Sequence, residues 1–141
     1  MSDALDLSPI SQKDLICTSL LLRSDIERIY AVARELKRGR EVHTSVLRNK
    51  RLAMIFEKDS LRTRFTFDIG MNDLGGTVSF MDHRDARIGS RESVKDIAKN
   101  LERWTHCIVA RTFKHKVLED LAAAADDMRR DLTSALGAGR P

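Results

Sequence analysis

The stretch Leu52-Ala53-Met54-Ile55-Phe56 is a short and uninterrupted apolar run. A continuous apolar run bounded by polar residues is typical of a strand that is covered on both faces of a sheet. Thr77-Val78-Ser79-Phe80-Met81 and Cys107-Ile108-Val109-Ala110 form two further runs of this length. We therefore expect three strands, and we expect the third to be buried like the first.

Helical spacing of apolar residues separates these runs. Residues 61–74 predict a helix that ends at Gly75-Gly76, Ser93 opens a second helix, and a third begins near Lys116. Strands that alternate with helices in the order β-α-β-α-β-α indicate right-handed crossovers. The predicted fold class is therefore α/β, with three layers: a parallel sheet with helices on both faces.

A further helix is predicted before the first strand. Ser24 is its expected cap, Glu27 would complete a capping box, and Gly39 would end the run. Its apolar residues recur at helical spacing, so we expect this helix to face a core. These residues are Ile26, Ile29, Tyr30, Ala33 and Leu36.

The 141 residues fit one domain of ordinary size. Lysine and arginine outnumber aspartate and glutamate by 25 to 21, but the opposite charges are interspersed and aromatic residues make up only 5%. Nucleic-acid binders usually show basic runs or basic residues interleaved with aromatic ones. We therefore expect no nucleic-acid partner, and instead a local basic pocket for a small anion.

Cys17 and Cys107 form no Cys-x-x-Cys pair, and the four histidines show no ligand spacing. We expect two buried thiols in a reducing compartment, and neither a metal nor a cofactor. The N-terminus has no basic region followed by an apolar one, and the apolar stretch 15–22 is far shorter than the ~20 residues that cross a bilayer. The sequence thus predicts a cytoplasmic protein with no membrane contact.

Residues 56–64, which read Phe-Glu-Lys-Asp-Ser-Leu-Arg-Thr-Arg, follow the first strand. A turn that leads into a helix presents unpaired backbone N–H groups and the positive end of the helix dipole. Ser60 and Thr63 add hydroxyl donors, and Arg62 adds a guanidinium group that can bond two phosphate oxygens at once. The segment therefore predicts a phosphate site without the glycines of a P-loop.

A purely structural interpretation stays open on spacing alone. Ser60 could serve only as a helix cap, and the arginines could pair with Glu57 and Asp59 on a solvated face. However, residues 56–64 resemble the phosphate-binding signature of the aspartate/ornithine carbamoyltransferases, and further stretches resemble that family in the same order. They are Phe67-Asp68-Ile69-Gly70-Met71, Leu74-Gly75-Gly76, Asp85-Ala86-Arg87-Ile88-Gly89 with Glu92, Ser93, Lys95 and Asp96, and Arg111-Thr112-Phe113.

The resemblance implies the N-terminal, carbamoyl-phosphate-binding domain of this family. Phe56-Glu57-Lys58 before the serine and Arg111-Thr112-Phe113 after the third strand are similar to the ornithine branch, since the aspartate branch tends to carry His-Pro after this arginine. The family transfers a carbamoyl group from carbamoyl phosphate to an amine. The ornithine branch gives citrulline and phosphate, in arginine biosynthesis.

Carried over by position, the resemblance implies that the phosphate is held around the start of the first crossover helix. Thr63 and Arg111 are expected to polarise the carbonyl oxygen, although Arg111 alone could be a surface arginine at a strand end. Arg62, Thr63 and Arg111 are the expected catalytic residues. The expected carbamoyl-phosphate ligands are Ser60, Leu61, Arg62, Thr63, Arg87 and Arg111.

This chain departs from the family pattern at three places. Leu61 stands where Thr or Gly is usual, and Arg87 stands where ornithine enzymes carry Gln, in a loop thought to serve the neighbouring subunit of the family's trimers. After Ala125 the family's next strand and His-Pro-Cys-Gln motif are not found. We therefore expect a partial binding domain at 1–125, truncated relative to the family domain, a divergent tail at 126–141, and no second, ornithine-binding domain.

These departures bear on activity. The amino-acid acceptor would bind only with the missing domain, a homotrimer would be the assembly of the parent enzyme, and the isolated chain is expected to be inactive. The alternative is a non-catalytic fragment of this family that binds an anion or joins subunits.

Overall fold

The computed structural model describes residues 8–39, 41–82 and 88–125. The elements that form the domain follow the predicted order, and the predicted boundaries of the three strands and of the helices after the first strand lie within one residue of the observed ones. In chain order they are a short 3-10 helix at Thr18–Leu20, α1 Arg23–Arg38, β1 Arg51–Phe56, α2 Leu61–Asp73, β2 Thr77–Met81, α3 Val94–Trp104, β3 Cys107–Arg111 and α4 His115–Ala124. The predicted α/β fold class is confirmed.

The three strands form one parallel sheet in the order β2-β1-β3. Leu52 of β1 lies opposite Val78 on one side and Cys107 on the other. The chain therefore moves outward from β1 to β2 and then back past β1 to β3. Because parallel crossovers are almost always right-handed, this reversal directs α2 and α3 to opposite faces of the sheet.

The core lies around β1, whose side chains from Leu52 to Phe56 are at most 3% exposed. Alternate side chains point to opposite faces. Leu52, Met54 and Phe56 pack with Met71 of α2 on one face. On the other face Ala53 and Ile55 pack with Leu101 of α3, and α4 packs on α3 through Ala98, Leu121 and Ala125.

The outer strands are less buried than the sequence suggested. Cys107 at the start of β3 is exposed, and residues 108–110 are half-buried. The prediction of a fully buried third strand is therefore wrong, because β3 pairs only with β1 among the described strands. The prediction of two buried thiols is also wrong, since Cys17 is half-buried and Cys107 is exposed.

Helix α1 begins differently from the prediction. Its N-cap is Leu22, whose N–H donates to the carboxylate of Asp25 over 2.9 Å, so the expected capping box of Ser24 and Glu27 is wrong. The N–H of Ser11 donates to the same carboxylate over 2.9 Å, and the Ser11 hydroxyl also donates to it. Asp25 therefore ties the N-terminal segment to the start of the helix.

The apolar side of α1 does not face a core. Ile26, Ile29 and Tyr30 are 41%, 40% and 64% exposed, so the expectation of a core-facing helix is wrong. The two faces of the sheet are already covered by α2 and by the α3–α4 pair. Gly39 ends α1 as predicted.

The turn between α2 and β2 requires glycine. Gly75 has a φ of 83°, and a Cβ atom there would lie 2.4 Å from the carbonyl oxygen of Thr44. The neighbouring Leu74 accepts a hydrogen bond from the N–H of Leu47 over 2.8 Å. The predicted stop at Gly75-Gly76 is confirmed, and its reason is the close passage of the loop before β1.

Candidate functional site

The candidate site lies at the carboxyl ends of β1 and β3. After β1 the chain enters α2 on one face of the sheet, and after β3 it enters α4 on the opposite face. In doubly wound sheets ligands bind in the crevice between two neighbouring strands from which the chain continues to opposite faces of the sheet. Phe56 and Arg111 are register partners at this point, so the two predicted site segments are adjacent.

The start of α2 has hydrogen-bond donors with no acceptor among the described residues. Ser60 precedes the helix but its side chain does not cap it, because its Oγ donates instead to Oγ1 of Thr63 over 2.8 Å. The first helical bond runs from the N–H of Arg64 to the carbonyl oxygen of Ser60 over 3.0 Å. Within the described residues no hydrogen bond uses the N–H groups of Leu61, Arg62 or Thr63.

The two arginines of this segment have different surroundings. The Arg62 side chain is exposed and makes no hydrogen bond or ion pair with any other described residue. The guanidinium carbon of Arg64 lies 3.8 Å from the ring centroid of Phe80, which is cation–π distance. Arg64 is thus engaged with the sheet, whereas Arg62 can reach an anion.

Arg111 is linked to the turn that precedes α2. Its Nη1 donates to the carbonyl oxygen of Asp59 over 3.1 Å. The N–H of Glu57 donates to the carbonyl oxygen of Arg111 over 2.8 Å, and the N–H of Phe113 donates to Oε2 of Glu57 over 2.8 Å. We call these contacts between residues 57–59 and residues 111–113 the β1–β3 clasp.

These contacts differ from the purely structural interpretation, in which Ser60 only caps α2 and the arginines pair with Glu57 and Asp59. Ser60 does not cap α2, and the carboxylate of Glu57 bonds a backbone N–H rather than an arginine. The sequence analysis considered Glu57 only as a possible ion-pair partner of the arginines. Its position directly after a buried strand, at the sheet edge where ligands bind, could have indicated a role in the site. Arg87 lies outside the described residues, so its predicted role stays a prediction.

Two further observations on the described residues concern metal ligands and membrane-spanning helices. No group of three or more His, Cys, Asp or Glu side chains is placed to hold a metal ion there. None of the helices in this part of the chain combines the length and the apolar character needed to cross a membrane. The described donors at the carboxyl ends of β1 and β3 are backbone N–H, hydroxyl and guanidinium groups, which are of the kind that bind anions.

The family profile described as "Aspartate/ornithine carbamoyltransferase, carbamoyl-P binding domain" matches residues 13–139. The chain belongs to this family. The predicted resemblance to this family is therefore confirmed over most of the chain.

Curated relatives include two bacterial ornithine carbamoyltransferases. The one from Moritella profunda is 41% identical over 109 residues, which are 77% of this chain and 36% of that protein. The one from Bacillus subtilis is 42% identical over 114 residues, 81% of this chain and 35% of that protein. The chain thus spans about a third of the length of the curated relatives that it matches.

The fold agrees with solved structures. The crystal structure of ornithine carbamoyltransferase from Thermus thermophilus superimposes with a TM-score of 0.74 at 41% identity, and the match covers 82% of this chain and 40% of that one. The structure of the enzyme from Pyrococcus furiosus gives a TM-score of 0.76 at 35% identity. The similarity to the ornithine branch that was predicted from the sequence is confirmed by these relatives.

Proposed function

We propose that this chain binds carbamoyl phosphate at the carboxyl ends of β1 and β3. The site would be the carbamoyl-phosphate half of an ornithine carbamoyltransferase, which converts carbamoyl phosphate and ornithine into citrulline and phosphate in arginine biosynthesis. The observation that carries this proposal is the start of α2, where the N–H groups of Leu61, Arg62 and Thr63 lack partners among the described residues.

The phosphate would rest at this helix start. Backbone N–H groups and the helix dipole favour a negative charge there, and the first turn contains no acidic residue. Arg62 is exposed and can bond two phosphate oxygens at once. The hydroxyl pair of Ser60 and Thr63 can reorient to donate to a bound oxygen, because hydroxyl groups rotate.

The carbamoyl group would lie towards Arg111. When an amine attacks the carbonyl carbon, negative charge develops on the carbonyl oxygen, and fixed donors aimed at that oxygen lower the barrier. We assign this role to Thr63 and Arg111. The contact with Asp59 uses one N–H of the Arg111 guanidinium, which has five such donors, so the others remain for the substrate. Arg87 would add a phosphate contact.

The remaining assignments concern the whole protein. We propose residues 1–125 as the carbamoyl-phosphate-binding domain. Ornithine binding would need a second domain, which the longer relatives have room for. The family resemblance also suggests a homotrimer in the cytoplasm. Because the chain spans about a third of its relatives' length, we expect the 141-residue polypeptide to bind carbamoyl phosphate and to form little citrulline when ornithine is added.

Calorimetric titration of the 141-residue polypeptide with carbamoyl phosphate tests the proposal. Arg62→Ala removes a charged donor and should weaken binding by roughly 100-fold. Arg103→Ala is the matched control, because Arg103 is also exposed but lies in the last turn of α3, at the other end of the sheet. Equal affinities for the two variants, or a wild-type chain that does not bind, would contradict the proposal.

A further inference from the structure

We propose that Glu57 is a positioning residue that sets Arg111 against the carbamoyl group and thereby gives the site its preference for carbamoyl phosphate over inorganic phosphate. This inference rests on the proposed function, because it assumes that the two ligands share the phosphate position at the start of α2. It concerns the part of the site that distinguishes them.

Glu57 holds the end of β3 at two points. Its N–H donates to the carbonyl oxygen of Arg111 over 2.8 Å, which extends the pairing of β1 with β3 by one hydrogen bond. Its carboxylate accepts a hydrogen bond from the N–H of Phe113 over 2.8 Å. One half-buried residue thus fixes the backbone on both sides of Thr112.

Residues 111–113 lie between two parts of the chain that are packed in the core, Ala110 of β3 and Val117 of α4, but they make few contacts of their own with residues 57–59. β3 has β1 as its only described neighbour, and the Phe113 side chain is 67% exposed. The Lys58 ammonium lies 4.8 Å from the Phe113 ring centroid, a contact that is weak at an exposed site. A hydrogen bond to a charged carboxylate is stronger than this contact, so Glu57 is the stronger of the two restraints on the position of Phe113.

The Arg111 side chain depends on that path. Its Nη1 reaches back to the carbonyl oxygen of Asp59, the residue directly before Ser60. The guanidinium group is therefore held beside the start of α2 only while residues 111–113 stay against residues 57–59. If the contact between Glu57 and Phe113 is lost, the end of β3 can move away and Arg111 with it.

The phosphate donors do not depend on the clasp. The N–H groups of residues 61–63 belong to α2, which is held by its own helical bonds and by Met71 in the core. Inorganic phosphate has no carbonyl oxygen for Arg111 to bind. Removing the carboxylate of Glu57 should therefore reduce affinity for carbamoyl phosphate and leave affinity for inorganic phosphate almost unchanged.

The experiment is a pair of calorimetric titrations, with carbamoyl phosphate and with inorganic phosphate, on wild type, Glu57→Ala and Glu57→Gln. We expect Glu57→Ala to weaken carbamoyl phosphate binding by roughly tenfold, and to change phosphate binding by less than about twofold. Glu57→Gln should restore most of the loss, because its amide oxygen can still accept from Phe113. Glu41→Ala, at an exposed glutamate outside the clasp, should match wild type for both ligands.

A second variant removes the donor instead of the acceptor. Phe113→Pro deletes the N–H that Glu57 accepts and should produce the same selective loss as Glu57→Ala. It provides an independent test if Glu57→Ala proves unfolded by circular dichroism. An equal loss of both ligands, no loss for either variant, or a failure of Glu57→Gln to restore binding would overturn the role of Glu57. A wild-type chain that binds neither ligand would instead overturn the proposed function itself.

Discussion

The helices α2 and α3 both begin with a serine at the carboxyl edge of the sheet, yet the two serines behave differently. At α3 the Ser93 hydroxyl accepts from the N–H of Asp96 over 3.1 Å and donates to the Asp96 carboxylate over 2.7 Å. At α2 the Ser60 hydroxyl donates to the Thr63 hydroxyl and caps nothing. At α3 the serine therefore bonds an N–H group of the first turn, whereas at α2 the N–H groups of residues 61–63 have no acceptor among the described residues.

The difference depends on the third helical residue. This position is Asp96 in α3 and Asp25 in α1, but Thr63 in α2. A carboxylate there accepts a nearby donor and balances the positive end of the helix dipole. A threonine leaves that end positive. The comparison therefore separates helix starts built for stability from one suited to bind an anion.

Converting the start of α2 into one like α3 should have the largest effect. Thr63→Asp places a negative charge where we expect the phosphate, so affinity for carbamoyl phosphate should fall by about 100-fold or more. The free energy of unfolding should stay the same or rise by up to about 1 kcal/mol, because the new carboxylate complements the helix dipole. Calorimetry and urea unfolding measure the two quantities. Thr63→Ser keeps a hydroxyl and should bind normally; a Thr63→Asp variant with wild-type affinity would break the comparison.

Removing each of the two serines should change a different quantity, ligand affinity for Ser60 and the free energy of unfolding for Ser93. Ser60→Ala should weaken carbamoyl phosphate binding by roughly tenfold, because one donor is lost, and should change the free energy of unfolding very little. Ser93→Ala should lower the free energy of unfolding by about 1 kcal/mol, because a true cap is lost, and should leave binding unchanged. If both variants change the same quantity, the distinction between the two helix starts is wrong.

The start of α1 gives the smallest expected effect, which is confined to acid pH. Hydrogen bonds from Ser11 hold the pKa of Asp25 below its ordinary value. A lowered pKa in the folded state means that this carboxylate stabilises the fold above its unfolded pKa of about 3.9, and that the stabilisation is lost as pH falls through the folded pKa. We expect the free energy of unfolding, measured with urea, to fall less between pH 7 and pH 3 for Asp25→Asn than for wild type. An equal loss would mean that Asp25 does not contribute.

Local sequence patterns predicted most of the fold. The apolar run at 52–56 indicated the central strand, and the turn at Gly75-Gly76 indicated the end of α2, because strand burial and glycine turns leave local signatures. They did not predict the exposure of Cys107, since whether a strand lies at an edge depends on the sheet order and not on its own residues.

The candidate site was predicted in its position but not in its contacts. Residues 60–63 and Arg111 were expected at one edge of the sheet, and the structure brings them there. The links from Glu57 to Phe113 and from Ser11 to Asp25 join residues 56 and 14 positions apart in the sequence. Such contacts depend on how the strands and loops meet in three dimensions, so spacing along the chain could not indicate them.

The most direct test of the account follows the backbone amides by NMR while carbamoyl phosphate is added to the ¹⁵N-labelled chain. We expect the largest shifts at the N–H groups of Leu61, Arg62 and Thr63, and almost none at those of Lys95 and Asp96 in the first turn of α3. Equal shifts at both helix starts, or shifts confined to another part of the chain, would contradict the claim that the start of α2 holds the phosphate.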